Sequence, residues 1–271
     1  MASKESFSHT FAVCAYKESE YLEECVKSLV NQAVKSKIII ATSTPCPYIE
    51  NIANKYDIPL FVRDGASDIR DDWNFAYNSA DTDWVTIAHQ DDKYNEFYVK
   101  NMIDRVKKLE AKAKGKDVTM FYTDYMPIKN GEIGKRDINS KIRRFLRIPM
   151  KSDGMAKSAF WRKATLCLGN SICCPSVTYN KKVLGESVFT SELKFNIDWD
   201  TFLKLAKVDG IWAYVDKPLS YYRVHDGATS KEFIVSHKRE IDDTYMFNQF
   251  WPKWVTKLIM VFYKKAYNTY G

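Results

Sequence analysis

No glycine occurs in this 271-residue chain before Gly65, and only 10 are present in all. A dinucleotide site needs G-x-G-x-x-G in the first strand-to-helix turn, and a P-loop needs G-x-x-x-x-G-K-[ST]. Neither can be built here. A nucleotide bound by this chain must be held by side chains and backbone at several strand ends, with a metal to meet its diphosphate charge. A disulfide pattern is lacking too. Cys14, Cys25, Cys46, Cys167, Cys173 and Cys174 include no C-x-x-C pair, which reads as reduced thiols in a cytosolic protein. No run reaches the ~18 uncharged apolar residues of a membrane span, and the first residues lack an apolar core of signal-peptide length. Membrane contact is therefore expected to be peripheral. There is no internal repeat and no low-complexity tract. With 45% hydrophobic and 14% aromatic residues, disorder is excluded, and the chain is long enough for one large α/β domain or a domain with an appendage.

Charge is unevenly placed. The net charge is +7, yet residues 135–163 alone carry +8: Lys135, Arg136, Lys141, Arg143, Arg144, Arg147, Lys151, Lys157, Arg162 and Lys163 against Asp137 and Asp153. Such a local excess points either to an anionic partner at that segment or to a solvated loop, and not to a nucleic-acid-coating surface.

Through residue 125 short apolar strands alternate with amphipathic helical patterns, which implies a parallel, doubly wound α/β sheet. Strands are expected at Phe11–Ala15, Lys37–Ala41, Leu60–Val62, Trp84–Ala88 and Val118–Tyr122. Ser19 can cap a helix whose Leu22, Cys25, Val26, Leu29 and Val30 share one face. A long helix is expected from about Glu96 to Lys112. Residues 127–163 look irregular, the mark of a mobile or partner-dependent segment. Further on, 172–179 reads as a strand or extended segment, Asn196–Asp200 opens a helix, Ile211–Val215 is a strand, and residues after Thr229 look helical.

His89-Gln90-Asp91-Asp92 follows a buried strand, at the edge where open α/β sheets bind ligands. Two carboxylates and an imidazole there suit Mg²⁺ or Mn²⁺ carrying a diphosphate, whereas capping of a helix near Tyr94 is the plainer explanation. Asp198 and Asp200 flank Trp199 at a helix start, which fits ionised functional carboxylates or simple capping. Tyr222-Arg223-Val224-His225-Asp226-Gly227 places one of 4 histidines in a polar turn.

In order and spacing, Phe11 to Glu18 with the helix that follows, His89-Gln90-Asp91-Asp92, Asp198-Trp199-Asp200 and Tyr222-Arg223-Val224-His225 resemble family 2 glycosyltransferases of GT-A fold, over nearly all of residues 8–230. The resemblance implies an α/β GT-A domain over 1–228, with a Rossmann-like, mostly parallel sheet flanked by helices. Its nucleotide-sugar half would be 1–125, its acceptor half 126–228, and 229–271 a C-terminal helical extension. It further implies that Ala12, Ala15, Tyr16 and Glu18 surround the base and ribose of the donor. His89, Gln90 and Asp91 would replace the DxD motif, with Asp91 as metal ligand and Asp92 beside it. Asp198 falls at the catalytic base, His225 at the donor diphosphate as a second metal ligand, and Arg223 beside the leaving group. Asn74 matches an asparagine the family often carries. Two departures stand out. The Asp-rich turn that reads the base is Ala41-Thr42-Ser43-Thr44-Pro45 here, and the first acid of DxD is His89, while Trp73 stands where an arginine commonly precedes Asn74.

The expected function is an inverting, Mn²⁺- or Mg²⁺-dependent glycosyltransferase using a nucleoside-diphosphate sugar, with UDP favoured and dTDP the alternative. The acceptor would be a saccharide hydroxyl, lipid-linked, in cell-surface polysaccharide synthesis at the cytoplasmic face of the membrane. Trp254, Val255, Leu258, Ile259, Phe262 and Ala266 fill one arc of a C-terminal helix with Lys253, Lys257 and Lys264 opposite, although Met260 falls near those lysines and Lys265 within the arc. Such a helix either lies on an anionic membrane surface or docks on the core. The rivals are a sugar nucleotidyltransferase, whose glycine-rich basic loop is missing, and a non-catalytic basic surface-binding protein on a degenerate GT-A fold.

Overall fold

The computed structural model describes residues 7–113, 115–225 and 238–264. In chain order the elements are β1 (His9–Ala15), α1 (Leu22–Val30), β2 (Lys37–Thr42), α2 (Pro47–Lys55), β3 (Leu60–Val62), α3 (Ile69–Ser79), β4 (Trp84–His89), β5 (Lys93–Tyr94), α4 (Tyr98–Glu110), β6 (Val118–Lys129), β7 (Glu132–Ile133), α5 (Ile138–Leu146), α6 (Asp153–Ala156), α7 (Ala159–Ala164), β8 (Val177–Asn180), α8 (Lys181–Leu184), α9 (Ile197–Leu205), β9 (Ile211–Val224), α10 (Lys238–Asn248) and α11 (Lys253–Tyr263). The sheet order is β3-β2-β1-β4-β8-β6-β9-β5, with β7 paired to the end of β6.

Both faces of the sheet are covered, so neighbouring residues of one strand enter opposite cores. Phe11 and Val13 pack with Leu22, Val26, Ile40 and Tyr98, whereas Ala12 packs with Ile39, Trp199 and Trp212. The parallel set β3-β2-β1-β4 is as its alternating pattern requires. The sheet as a whole is mixed, however, because β8 runs antiparallel to both β4 and β6 and sits between them. Thr178 on β8 is fastened there by the Thr86 and Tyr98 hydroxyls.

Several local expectations need correcting. Tyr21, not Ser19, occupies the N-cap of α1, and the Ser19 hydroxyl donates instead to Asp91 Oδ1 at 2.9 Å. Neither Asp91 nor Asp92 caps a helix: residues 89–92 form a turn, β5 follows, and α4 starts only at Tyr98. Tyr222, Arg223 and Val224 are the last residues of the long strand β9, not part of a polar turn. The Asp226-Gly227 pair and the first residues after Thr229 lie outside the described residues.

The basic segment is ordered. Its cause is internal charge pairing: Asp124 on β6, 1% exposed, receives Arg147 and Arg136, while Asp216 on β9 receives Arg144 and Lys151. Arg162 donates to the carbonyls of Gly210 (2.8 Å) and Val208 (3.0 Å) over the Trp212 ring. Half of the ten cations thus serve the fold and need no outside partner. α11 docks through Met260 and Thr256, so Met260, which the wheel set beside the lysines, is the buried residue, and Trp254, Leu258 and Phe262 face outward. Ala266 and Lys265 lie outside the described residues.

Removing one member of a buried ion pair leaves an uncompensated charge. Asp124→Asn is expected to lower unfolding free energy by roughly 3–5 kcal/mol in urea titration, and Lys151→Gln, at a partly exposed pair, by less than about 1 kcal/mol. Equal effects would contradict the role given to Asp124.

Candidate active site

The site gathers at the carboxyl ends of β1, β2 and β4. The glycine-free turn after β1 makes its bend with Lys17, which takes a left-handed φ of 51°. That conformation costs a non-glycine residue roughly 1–2 kcal/mol and is held only where neighbours enforce it. The enforcers come from both flanking strand ends. The Lys17 N–H donates to Thr44 Oγ1 at 2.7 Å, and the Gln90 amide accepts from the Tyr16 N–H (2.9 Å) and donates to the Tyr16 carbonyl (3.0 Å). Tyr16 and Glu18 are exposed beside this turn and Ala15 is buried under it.

Next to it stands the 89–92 turn. Asp91 Oδ2 lies 3.3 Å from His225 Nε2, and that nitrogen is buried without a hydrogen bond. A carboxylate oxygen and an orphaned imidazole nitrogen at this spacing suit a hard divalent cation, which commonly takes only one or two protein ligands and completes its shell with phosphate and water. Among the described residues no cluster of three or more His, Cys, Asp or Glu forms a metal cage. His89 stacks on Trp73, with centroids 5.2 Å apart and planes 21° apart, and burial lowers its pKa to about 4. His89 and Trp73, which replace the first acid of DxD and an arginine, are therefore one contact, and it is uncharged at neutral pH.

Asp198, in the first turn of α9, is the third component. Its Oδ2 accepts from Asn170 Nδ2 at 2.7 Å and its Oδ1 from the Trp199 N–H at 2.8 Å. Burial outweighs those bonds and the nearby Arg143 charge, raising its pKa to about 6. Asp200 is engaged with Lys204 at 2.7 Å and does not compete for the role. Cys173 and Cys174 lie between the two acidic centres: Asp92 and Asp198 act on both thiols, which burial above all pushes well above their usual range.

A family profile described as Glycosyl transferase family 2 matches residues 10–165, more than half of the chain. The chain belongs to glycosyltransferase family 2. Solved structures agree on the fold. The first 349 residues of TarS from S. aureus align with a TM-score of 0.57 at 14% identity, covering 93% of this chain and 69% of that one. The same fragment in complex with UDP-GlcNAc gives a TM-score of 0.58 and covers 70% of that chain. The mannosyltransferase PcManGT from Pyrobaculum calidifontis, in complex with GDP-Man and Mn²⁺, gives 0.58 at 12% identity, covering 90% of this chain and 63% of that one. No curated protein sequence matches the chain.

Within this glycosyltransferase, four residues expected at the donor serve other ends. Ala12 has no exposed surface and packs in the core. Both ends of the Asn74 amide are held by the backbone of Phe189, at 2.8 and 3.2 Å, which sets the wall carrying Trp73. Asp92 is 2% exposed and accepts the Arg223 N–H at 2.8 Å. Arg223, 6% exposed, donates to the Asp91 carbonyl at 2.8 Å, pairs with Glu24 and lies over the Tyr21 ring. Asp92 and Arg223 are thus bonded to each other, and Arg223 to the Asp91 backbone. Sequence reasoning missed Ser19, Glu24, Asn170 and Arg143. A polar residue after Gly169 was the one signal for Asn170, and it is an ordinary turn signal.

An acid with a pKa near 6 accepts a proton only when ionised, so a base role fixes the sign of the pH response. Transfer rate is expected to rise with pH through about 6 and level off above. Asp198→Asn is expected to lose this limb and ~10²–10⁴-fold in rate. A flat native profile, or near-native turnover by the variant, would remove Asp198 from the reaction.

Proposed function

We propose that this glycosyltransferase transfers a sugar with inversion from a nucleoside-diphosphate sugar, UDP-linked in the first instance with dTDP as the alternative, to a saccharide hydroxyl. The observation that carries this reading is Asp198: a carboxylate held by two donors, raised to about 6 by burial, and set apart from the Asp91–His225 pair. A base on one side and a diphosphate anchor on the other is what single displacement needs. The acceptor O–H gives its proton to Asp198 while its oxygen bonds to the anomeric carbon. The bond from that carbon to the diphosphate oxygen breaks, and the electron pair leaves with the diphosphate. Tyr16, Lys17 and Gln90 frame the nucleotide end, and Arg223 keeps Asp91 in place. Asp91 and His225 would hold a Mn²⁺ or Mg²⁺ ion, which when bound offsets charge on the leaving diphosphate. The nucleotide sugars bound by TarS and PcManGT, and the Mn²⁺ of the latter, support this donor chemistry.

The acceptor is lipid-linked and the enzyme sits peripherally on the cytoplasmic membrane face, in cell-surface polysaccharide synthesis. Support comes from the outward apolar face of α11, where Trp254, Leu258 and Phe262 repeat every fourth residue and are each more than half exposed. Ile138 and Phe145 on α5 are equally bare. A patch of this kind with lysines around it suits an anionic headgroup region. No helix among the described residues is long and apolar enough to cross a membrane.

Calorimetry with UDP tests the donor side: Mn²⁺ is expected to tighten UDP binding to the native chain and to have little effect on Asp91→Asn. Equal affinity with and without Mn²⁺ in both proteins would discard the metal role. Co-sedimentation with anionic vesicles at low salt tests the location. The native chain should pellet and the Trp254→Ser/Leu258→Ser variant should stay in solution; no native binding, or no difference, would leave a soluble acceptor as the better account.

A further inference from the structure

Two carboxylates lie on the buried face of α10. Asp242, Asp243, Met246 and Phe247 fall at i, i+1, i+4 and i+5, and all four are buried. A helix that only had to dock would carry apolar groups at all of these positions, because a buried carboxylate is costly unless donors surround it. The donors here come largely from the segment that leads into α9. One oxygen of Asp242 accepts the N–H groups of Lys194, Phe195 and Asn196, at 3.0, 2.7 and 3.3 Å. Asp243 accepts from Asn196 Nδ2 at 2.7 Å, and its other oxygen pairs with Arg239 at 3.3 Å. The Phe247 ring meets Trp199 edge-on, with centroids 5.1 Å apart.

Asn196 is the N-cap of α9, and its carbonyl takes the Asp200 N–H at 3.0 Å. An asparagine in that place ordinarily has an extended backbone and turns its side-chain oxygen to the second or third N–H of the helix. Asn196 does neither. Its ψ is 38°, it makes no side-chain cap, and its amide is committed to Asp243. The third N–H of α9, that of Trp199, goes instead to Asp198 Oδ1 at 2.8 Å, while Asn170 holds Oδ2. One donor thus stands between two acceptors of the same short segment, and the two acids of α10 hold one of those acceptors away.

Resting on the reading of Asp198 as the base, we propose that Asp242 and Asp243 are positioning residues of this transferase: they keep Asn196 from capping α9 and so give the Trp199 N–H to Asp198, which aims its carboxylate for the acceptor proton. The acids stand well beyond the 10–165 span of the family profile, so a helix from the end of the chain takes part in building the active site. The sign of the pH effect follows. The Trp199 N–H bonds to the ionised form of Asp198 and holds its pKa down against burial, so its loss raises that pKa and moves the acid limb of transfer to higher pH. Arg143 on α5 and the Cys173, Cys174 and Tyr179 side chains share the surroundings of Asp198 and are unaltered in every variant below.

The test is ¹H–¹⁵N NMR of the full chain as a function of pH. In the native chain the Trp199 amide proton is expected to follow the ionisation of Asp198, with a midpoint at about 6. Asp243→Ala frees the Asn196 amide to cap the helix, and the Trp199 amide should lose that midpoint. Asn196→Ala added to Asp243→Ala removes the competing acceptor and should restore it. Asn196→Asp, a strong cap repelled by Asp243, should reproduce the loss without deleting a buried acid. Transfer by Asp243→Ala should fall about tenfold, with its acid limb displaced upward, and should recover to within about twofold in the double variant. UDP affinity in the presence of Mn²⁺ should stay native throughout. A Trp199 amide that keeps its midpoint in Asp243→Ala and Asn196→Asp, or a loss in Asp243→Ala that Asn196→Ala does not relieve, would overturn the proposal. The expected amide pattern with a transfer rate indifferent to pH would keep the positioning role and overturn Asp198 as the base.

Discussion

One guanidinium holds the two ends of this chain to a common site. Arg223, near the end of β9, donates to the carbonyl of Asp91, pairs with Glu24 on α1 and covers the Tyr21 ring, while its own N–H is accepted by Asp92. A buried charge is tolerated only when such partners surround it, and taking away any one leaves the others mismatched. The turn bearing Asp91, the helix after the first strand and the last strand of the sheet are thus placed by one residue. His225, two positions on, comes within 3.3 Å of Asp91 as a consequence.

The two acidic centres sit in different surroundings. Asp198 is partly buried in the first turn of α9, and burial raises its pKa to about 6, as would suit a proposed general base. Asp91 faces an imidazole and a serine hydroxyl at the turn after β4. Asp92 and Asp198 both act on the buried thiols of Cys173 and Cys174, which burial above all keeps protonated and so poor nucleophiles or metal ligands of their own accord.

The first half of the fold was legible because its signals are local. Alternating apolar strands and helix faces over the first 125 residues need no knowledge of distant partners, and His89 to Asp92 stands at a strand end that periodicity alone locates. Residues 127–163 were misread for the opposite reason. Their order depends on Asp124 and Asp216, acids from strands outside the segment, so a sequence count saw only unmatched cations. The insertion of β8 between β4 and β6 is likewise a long-range pairing. At the site, Asp91 follows β4, Asp198 lies in the first turn of α9 and His225 follows β9. Asp92, Arg223 and Asn74 have the right residue types but face their neighbours, since which side of a turn a polar group faces is decided by tertiary packing. Asn170 belongs to no motif and becomes visible only when its hydrogen bond to Asp198 is seen.

If Arg223 acts by holding Asp91, the two must be energetically coupled. A double-mutant cycle on Mn²⁺-dependent UDP affinity, using Arg223→Lys and Asp91→Asn singly and together, measures this directly. A coupling of roughly 1 kcal/mol or more is expected, with Arg223→Lys costing affinity in the native background and little once Asp91 is changed. Additive losses would contradict a brace that works through Asp91.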